Sequence, residues 1–79
     1  MVEAGQLRMW KKKYDGGQFY NQVDGSLCFV TERFDHGVDE RGRKRPSNFT
    51  VMQVRADGSG VENPWFYEGE LEEHTVLVE

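Results

Sequence analysis

The sequence predicts an all-β domain, and three observations support this fold class. Short runs of β-branched and aromatic residues are separated by turn residues, aromatic residues are frequent, and no long stretch has the period of an amphipathic helix. Isoleucine is absent and alanine is scarce, although a helical bundle would use helix-favouring residues. A chain of 79 residues forms one domain, so residues 1–79 are read as a single unit.

Five strands follow from these runs. Residues 7–10 alternate in side-chain size, and residues 26–31 and 49–54 are apolar stretches of strand-forming residues. Residues 61–68 are rich in aromatic side chains, although Pro64 has no N–H group with which to pair at the middle of a strand. Residues 75–78 predict a short last strand. Five short strands with regular turns indicate a small barrel or sandwich.

The sequence also predicts the connections between these strands. Glycines beside aspartate or histidine predict turns at residues 15–17, 24–25, 36–37 and 57–60. Residues 35–48 are polar and charged with glycine and proline among them, which predicts a long mobile loop. The single helical candidate, residues 69–74, predicts one 3₁₀ turn before the last strand.

This order of strands and turns resembles that of an SH3-like barrel. The opening phrase Val2-Glu3-Ala4-Gly5-Gln6-Leu7 resembles the Val-x-x-Gly-x-Leu entry into the first strand of KOW-like SH3 barrels. Residues 51–79 contain an Asp-Gly turn, an aromatic strand and then Leu71-Glu72-Glu73-His74-Thr75-Val76, and they resemble the close of small proteins of phages and mobile elements. The resemblance implies a five-stranded, partly open barrel and an accessory protein that engages a host protein.

Charge is distributed unevenly along the chain. Residues 57–79 contain seven acids and no Lys or Arg, whereas residues 1–56 contain all ten Lys and Arg against seven acids. This asymmetry concerns association and not the fold. The single thiol of Cys28 is typical of a reducing compartment, and the sequence has neither an apolar run of membrane-spanning length nor a signal peptide. We therefore expect a cytoplasmic protein without a membrane partner.

Metal-binding and catalytic patterns are weak. Cys28, His36 and His74 are the soft ligands, and none lies at the spacing of a zinc site, so we expect no metal and no cofactor. Cys28 and a histidine could form a nucleophile–base pair, but burial in an apolar strand would raise the thiol pKa. Glu72 and Glu73 lie beside His74 in a surface turn, where acids are usually just solvated. The sequence therefore predicts no enzyme.

Nucleic acid is the alternative ligand. Two clusters of cations could contact phosphates while neighbouring aromatic rings stack on bases. The acidic segment 57–79 and a pI near 5.1 oppose this interpretation, because nucleic-acid-binding domains are usually basic. The candidate residues are Arg41, Arg43, Lys44 and Arg45 in the loop, together with Lys11, Lys12 and Lys13.

Protein binding is the leading hypothesis. Adjacent aromatic residues cannot all face one barrel interior, because successive side chains in a strand point to opposite sides. Alternation sends Trp65 and Tyr67 to one side and Phe66 to the other, and the sequence leaves open which side is exposed. The candidate protein-binding residues are Trp65, Tyr67, Phe66, Trp10 and Tyr20. We expect either a foreign protein partner or a homo-oligomer, a dimer or larger, with Trp65 or Tyr67 in the contact.

Overall fold

The computed structural model describes residues 1–11 and 25–79, which form an antiparallel sheet and one short helix. The elements in chain order are β1 Leu7–Trp10, β2 Leu27–Phe34, β3 Asn48–Val54, β4 Val61–Glu62, β5 Trp65–Tyr67, α1 Glu68–His74 and β6 Thr75–Leu77. The prediction of a mostly β chain is therefore confirmed. The turn predicted at residues 15–17 lies outside the described residues.

The strands are arranged in the order β4-β3-β2-β1-β6, and β5 also pairs with β3. The predicted strand over residues 61–68 is interrupted at Asn63 and Pro64, so β4 and β5 pair with opposite ends of β3. The carbonyl of Pro64 still accepts a hydrogen bond from the Val51 N–H at 2.9 Å. The prediction of five strands is corrected to six in the described part of the chain. No strand pairing there joins β6 to β4 or β5, so the sheet is not closed.

The longest pairing joins β2 and β3 and contains a bulge. The register shifts between Val30 and Glu32, so that Thr31 is the extra residue. Its hydroxyl donates to the Thr50 carbonyl at 3.0 Å, which anchors the bulge to the neighbouring strand. Bulges increase the local twist of a strand. This bulge separates the part of β2 that pairs with β1 from the part that lies opposite the β5 end of β3.

The connection before the last strand is a seven-residue α-helix and not the single 3₁₀ turn that the sequence predicted. Glu70 Oε1 accepts the Tyr67 N–H at 2.8 Å, which satisfies a backbone donor at the helix start. At the other end both the N–H and the hydroxyl of Thr75 donate to the Leu71 carbonyl. The Leu71 side chain is fully buried and attaches the helix to the inner side of the sheet.

The core lies on the inner side of the sheet. Trp10 and Phe66 meet edge to face with their ring centroids 5.2 Å apart. The indole N–H of Trp10 donates to Gln53 Oε1 at 3.1 Å, so the polar edge of this buried ring is satisfied. The buried apolar residues of the described chain are Val2, Trp10, Cys28, Val30, Phe49, Val51, Phe66 and Leu71.

One charged side chain also belongs to the inner side. Arg8 is 6% exposed, and its guanidinium Nε donates to the Thr75 hydroxyl at 2.7 Å. Its Nη1 donates to Gln6 Oε1 at 2.9 Å. A buried polar group must be hydrogen-bonded to be tolerated, and these contacts meet that requirement while joining β1 to β6.

Candidate binding surface

The outer side of the sheet is apolar over four neighbouring strands. Cys28 and Val30 point into the core, so alternation turns Leu27 and Phe29 outward. The same alternation applies in β1, β3 and β6. The outer face is defined by Leu7, Met9, Leu27, Phe29, Met52, Val54 and Val76; six of these side chains are more than a third exposed and Met9 is half-buried.

Strand register arranges the outer face in two cross-strand rows. One row runs from Leu7 through Phe29 to Met52, since Phe29 is paired with both neighbours. The second row runs from Val76 through Met9 to Leu27. Directly paired side chains on one face contact each other, so the rows form a continuous apolar layer. Monomeric proteins seldom expose a contiguous apolar patch larger than a few hundred Å².

An aromatic edge continues this layer along β5. Trp65 and Tyr67 are 50% and 44% exposed, and their rings meet edge to face with centroids 5.1 Å apart. Tyr67 is paired with Asn48, which is also paired with Phe34 of β2, so all three side chains share the outer side. We call Phe34, Trp65 and Tyr67 the aromatic edge. The aromatic edge adjoins the apolar layer, because Trp65 is opposite Thr50, which lies two residues before Met52 on the same side of β3.

The predicted protein-binding residues fall on both sides of the sheet. Trp65 and Tyr67 lie together on the outer side. Trp10 and Phe66 are each 1% exposed and belong to the core, so the structure removes them from the candidate surface. Their burial follows from alternation in β1 and β5, which directs them inward against each other. Tyr20 lies outside the described residues.

Formal charges are rare on the outer side. We consider the described strands and the residues next to them that continue their backbone pairing. At these outward positions there is one cation, Lys11, and one anion, Glu32. Lys11 extends β1, since its N–H donates to the His74 carbonyl at 2.9 Å. Both side chains are exposed, and within the described residues neither forms an ion pair. They bracket the apolar layer, one at each end of its strands.

The basic loop between β2 and β3 forms a small hairpin. It spans residues 35–47, because β3 already begins at Asn48, and Val38 pairs with Lys44 inside it. Asp39 Oδ1 accepts the N–H groups of Arg41 and Arg43, each at 2.9 Å, which closes the turn. A shallow depression of about 320 Å³ is lined there by Asp39, Glu40, Arg41, Arg43 and Arg45.

The two predicted basic clusters are not brought together where the structure describes them. Lys11 lies beside the start of β2, because the N–H of Trp10 donates to the Ser26 carbonyl at 2.9 Å. The hairpin with Arg41, Arg43, Lys44 and Arg45 follows the opposite end of β2, an eight-residue strand that spans roughly 25 Å. Lys12 and Lys13 lie outside the described residues.

Cys28 has the environment of a core residue. It is 1% exposed, and this burial raises the pKa of its thiol from 9.0 to about 11, with the nearby Arg8 charge acting in the opposite direction. A nucleophilic cysteine needs a low pKa and access to solvent. The position of Cys28 therefore gives no support to a thiol-dependent reaction.

We expect Cys28 to react slowly with a thiol reagent in the folded protein. Because the pKa rises from 9.0 to about 11, the thiolate fraction near pH 7 falls about a hundredfold, and burial restricts access further. Absorbance with a chromogenic disulfide reagent would compare the rates with and without denaturant. Equal rates in the two conditions would contradict the burial of this thiol.

Comparisons with known proteins add no relative. No protein-family model matches the chain, and neither the curated proteins nor the solved structures gave a significant match. Over residues 1–11 and 25–79, no three His, Cys, Asp or Glu side chains are grouped to hold a metal ion, and no helix has the length and apolarity needed to cross a bilayer. The fold and the surface together define a small antiparallel β protein with an apolar outer face.

Proposed function

We propose that this chain is a non-catalytic binding module, built as an SH3-like, partly open barrel, that engages a protein surface through its outer face. The order of elements supports the barrel: a long loop separates β2 from β3, a tight turn follows β3, and a helix precedes the last strand. The resemblance of the sequence to small phage and mobile-element proteins favours a cytoplasmic accessory role.

One observation carries the proposal, namely the continuous apolar layer across β3, β2, β1 and β6. Its seven side chains and the adjoining aromatic edge are aligned by register, so they present one surface and not scattered exposed residues. Interfaces are enriched in aromatic residues and methionine and depleted in charge at their centre. Phe29, Met52 and Trp65 have this character, and among the described strand positions charge is confined to the ends of the face.

The polar features of the molecule favour binding over catalysis. The thiol of Cys28 is buried with a raised pKa. A second depression, of about 270 Å³, is lined by Arg55, Ala56, Asp57 and Glu62 beside the β3–β4 turn. Asp57 is committed to that turn, because its carboxylate accepts the N–H of Ser59 at 2.9 Å and hydrogen bonds from Ser59 lower the Asp57 pKa. These groups are engaged in structural roles.

Capture experiments with matched variants test the proposal. The tagged chain, Phe29→Glu and Val38→Glu would each be incubated with a lysate of the source cells, with and without nuclease, and bound proteins identified by mass spectrometry. Val38 is a suitable control because it is 61% exposed but lies in the basic hairpin. We expect at least one protein, which can be a second copy of the chain, to be retained by wild type and Val38→Glu and lost with Phe29→Glu.

Two results would contradict this function. Equal capture by all three forms would separate binding from the outer face. Capture that disappears with nuclease, and also when Arg43, Lys44 and Arg45 are changed to alanine, would favour the nucleic-acid alternative, in which phosphates bind the basic hairpin. Circular dichroism of each variant would establish that it is folded.

A further inference from the structure

We propose that the surface that packs on the outer face is the outer face of a second copy, related by a two-fold axis that runs across the strands. This inference rests on the proposed function and names its partner. A two-fold interface must be self-complementary, because the same patch is used by both subunits. The arrangement of apolar rows and of the two flanking charges meets this condition.

The apolar rows set the centre of the interface. The row containing Leu27 and the row containing Phe29 are adjacent levels of the same ladder. A two-fold axis across the strands, placed midway between these levels, reverses the strand direction and brings each row of one copy over the other row of its partner. Aligned packing of two sheets interdigitates such rows with the sheets about 10 Å apart.

The flanking charges select this orientation. Lys11 lies two residues beyond Met9 in β1. Glu32 lies two residue pairs beyond Phe29 in the β2–β3 ladder, because it is opposite Thr50 and Phe29 is opposite Met52. They are therefore roughly 20 Å apart along the strands and equally distant from the proposed axis. The two-fold rotation places Lys11 of one copy near Glu32 of the other, twice per dimer. A two-fold axis parallel to the strands would instead bring like charges together.

The size of the chain supplies a reason for association. A domain of this length buries a smaller fraction of its surface than a larger one and has little stability in reserve. Standard interfaces bury about 800 Å² per partner. Nine side chains of the outer face and the aromatic edge are more than a third exposed and are available to such a contact.

Analytical ultracentrifugation tests whether a second copy of the chain covers the outer face. We expect wild-type protein to sediment at twice the chain mass of 9.2 kDa with a concentration-dependent equilibrium, and Phe29→Ser to remain monomeric while Val38→Ser behaves as wild type. A wild-type protein that is monomeric from micromolar to millimolar concentration overturns the inference. If the capture experiment is then positive, the proposed function stands with a foreign partner.

Charge reversal tests the orientation. Lys11→Glu and Glu32→Lys should each weaken the dimer roughly tenfold, because each creates two like-charge contacts. The double variant should return to within a few-fold of wild type, since it restores both pairs with their signs exchanged. The controls Lys44→Glu and Glu40→Lys make the same charge changes in the basic hairpin and should leave the affinity unchanged. A dimer that is indifferent to both reversals would overturn the antiparallel arrangement.

Discussion

Replacing Trp10 with alanine should remove a large part of the stability of the fold. Removing a fully buried tryptophan costs about 3–5 kcal/mol. The side-chain oxygen of Gln53 would also lose the hydrogen bond that it accepts from the indole N–H. A chain of 79 residues has roughly 4–12 kcal/mol of total stability. The loss is therefore at least about a quarter of the free energy of unfolding, and nearly all of it at the lower end of this range. Urea unfolding followed by far-ultraviolet circular dichroism would measure it.

The second tryptophan provides the matched control. Trp65 is half exposed and meets Tyr67 edge to face, so Trp65→Ala should cost only about 1 kcal/mol. Its effect should instead appear in binding, if the aromatic edge takes part in the interface. Equal destabilisation by the two substitutions would contradict the assignment of Trp10 to the core and Trp65 to the surface.

Much of the sheet could be predicted because local patterns agree with the final structure. The predicted first, third and last strands match β1, β3 and β6 within a residue. Two errors have local physical causes. Pro64 interrupts pairing, so one predicted strand became β4 and β5. The helix predicted as one turn extends to seven residues because Glu70 and Thr75 satisfy backbone groups at its ends.

The outer face was only partly predictable. The run Leu27-Cys28-Phe29-Val30 is apolar throughout, so alternation already required one pair of its side chains to face outward. Which pair does so depends on packing against Trp10 and Phe49, and a local pattern does not contain that information. The same limit applied to residues 65–67. Register across β1, β2 and β3, which aligns the rows, is a property of long-range pairing and not of any segment alone.

The thiol of Cys28 should make the fold sensitive to alkaline pH. Its pKa rises to about 11 in the folded chain, against 9.0 without the fold, because burial disfavours the thiolate. The folded state therefore holds this proton more tightly than the unfolded state. Its contribution to stability is fully present below pH 9 and is lost as the pH rises toward 11. The free energy of unfolding should fall by about 2–3 kcal/mol across this interval.

Cys28→Val isolates this contribution from the other groups that titrate at alkaline pH, such as the tyrosines and lysines. Valine suits a buried strand position and has no ionisable group. Urea unfolding of both proteins under reducing conditions at several pH values from 7 to about 11 would give the difference in stability at each pH. We expect the wild-type curve to fall below that of Cys28→Val progressively above pH 9. Parallel curves would mean that the thiol ionises equally well in both states, and that its surroundings in the fold admit water.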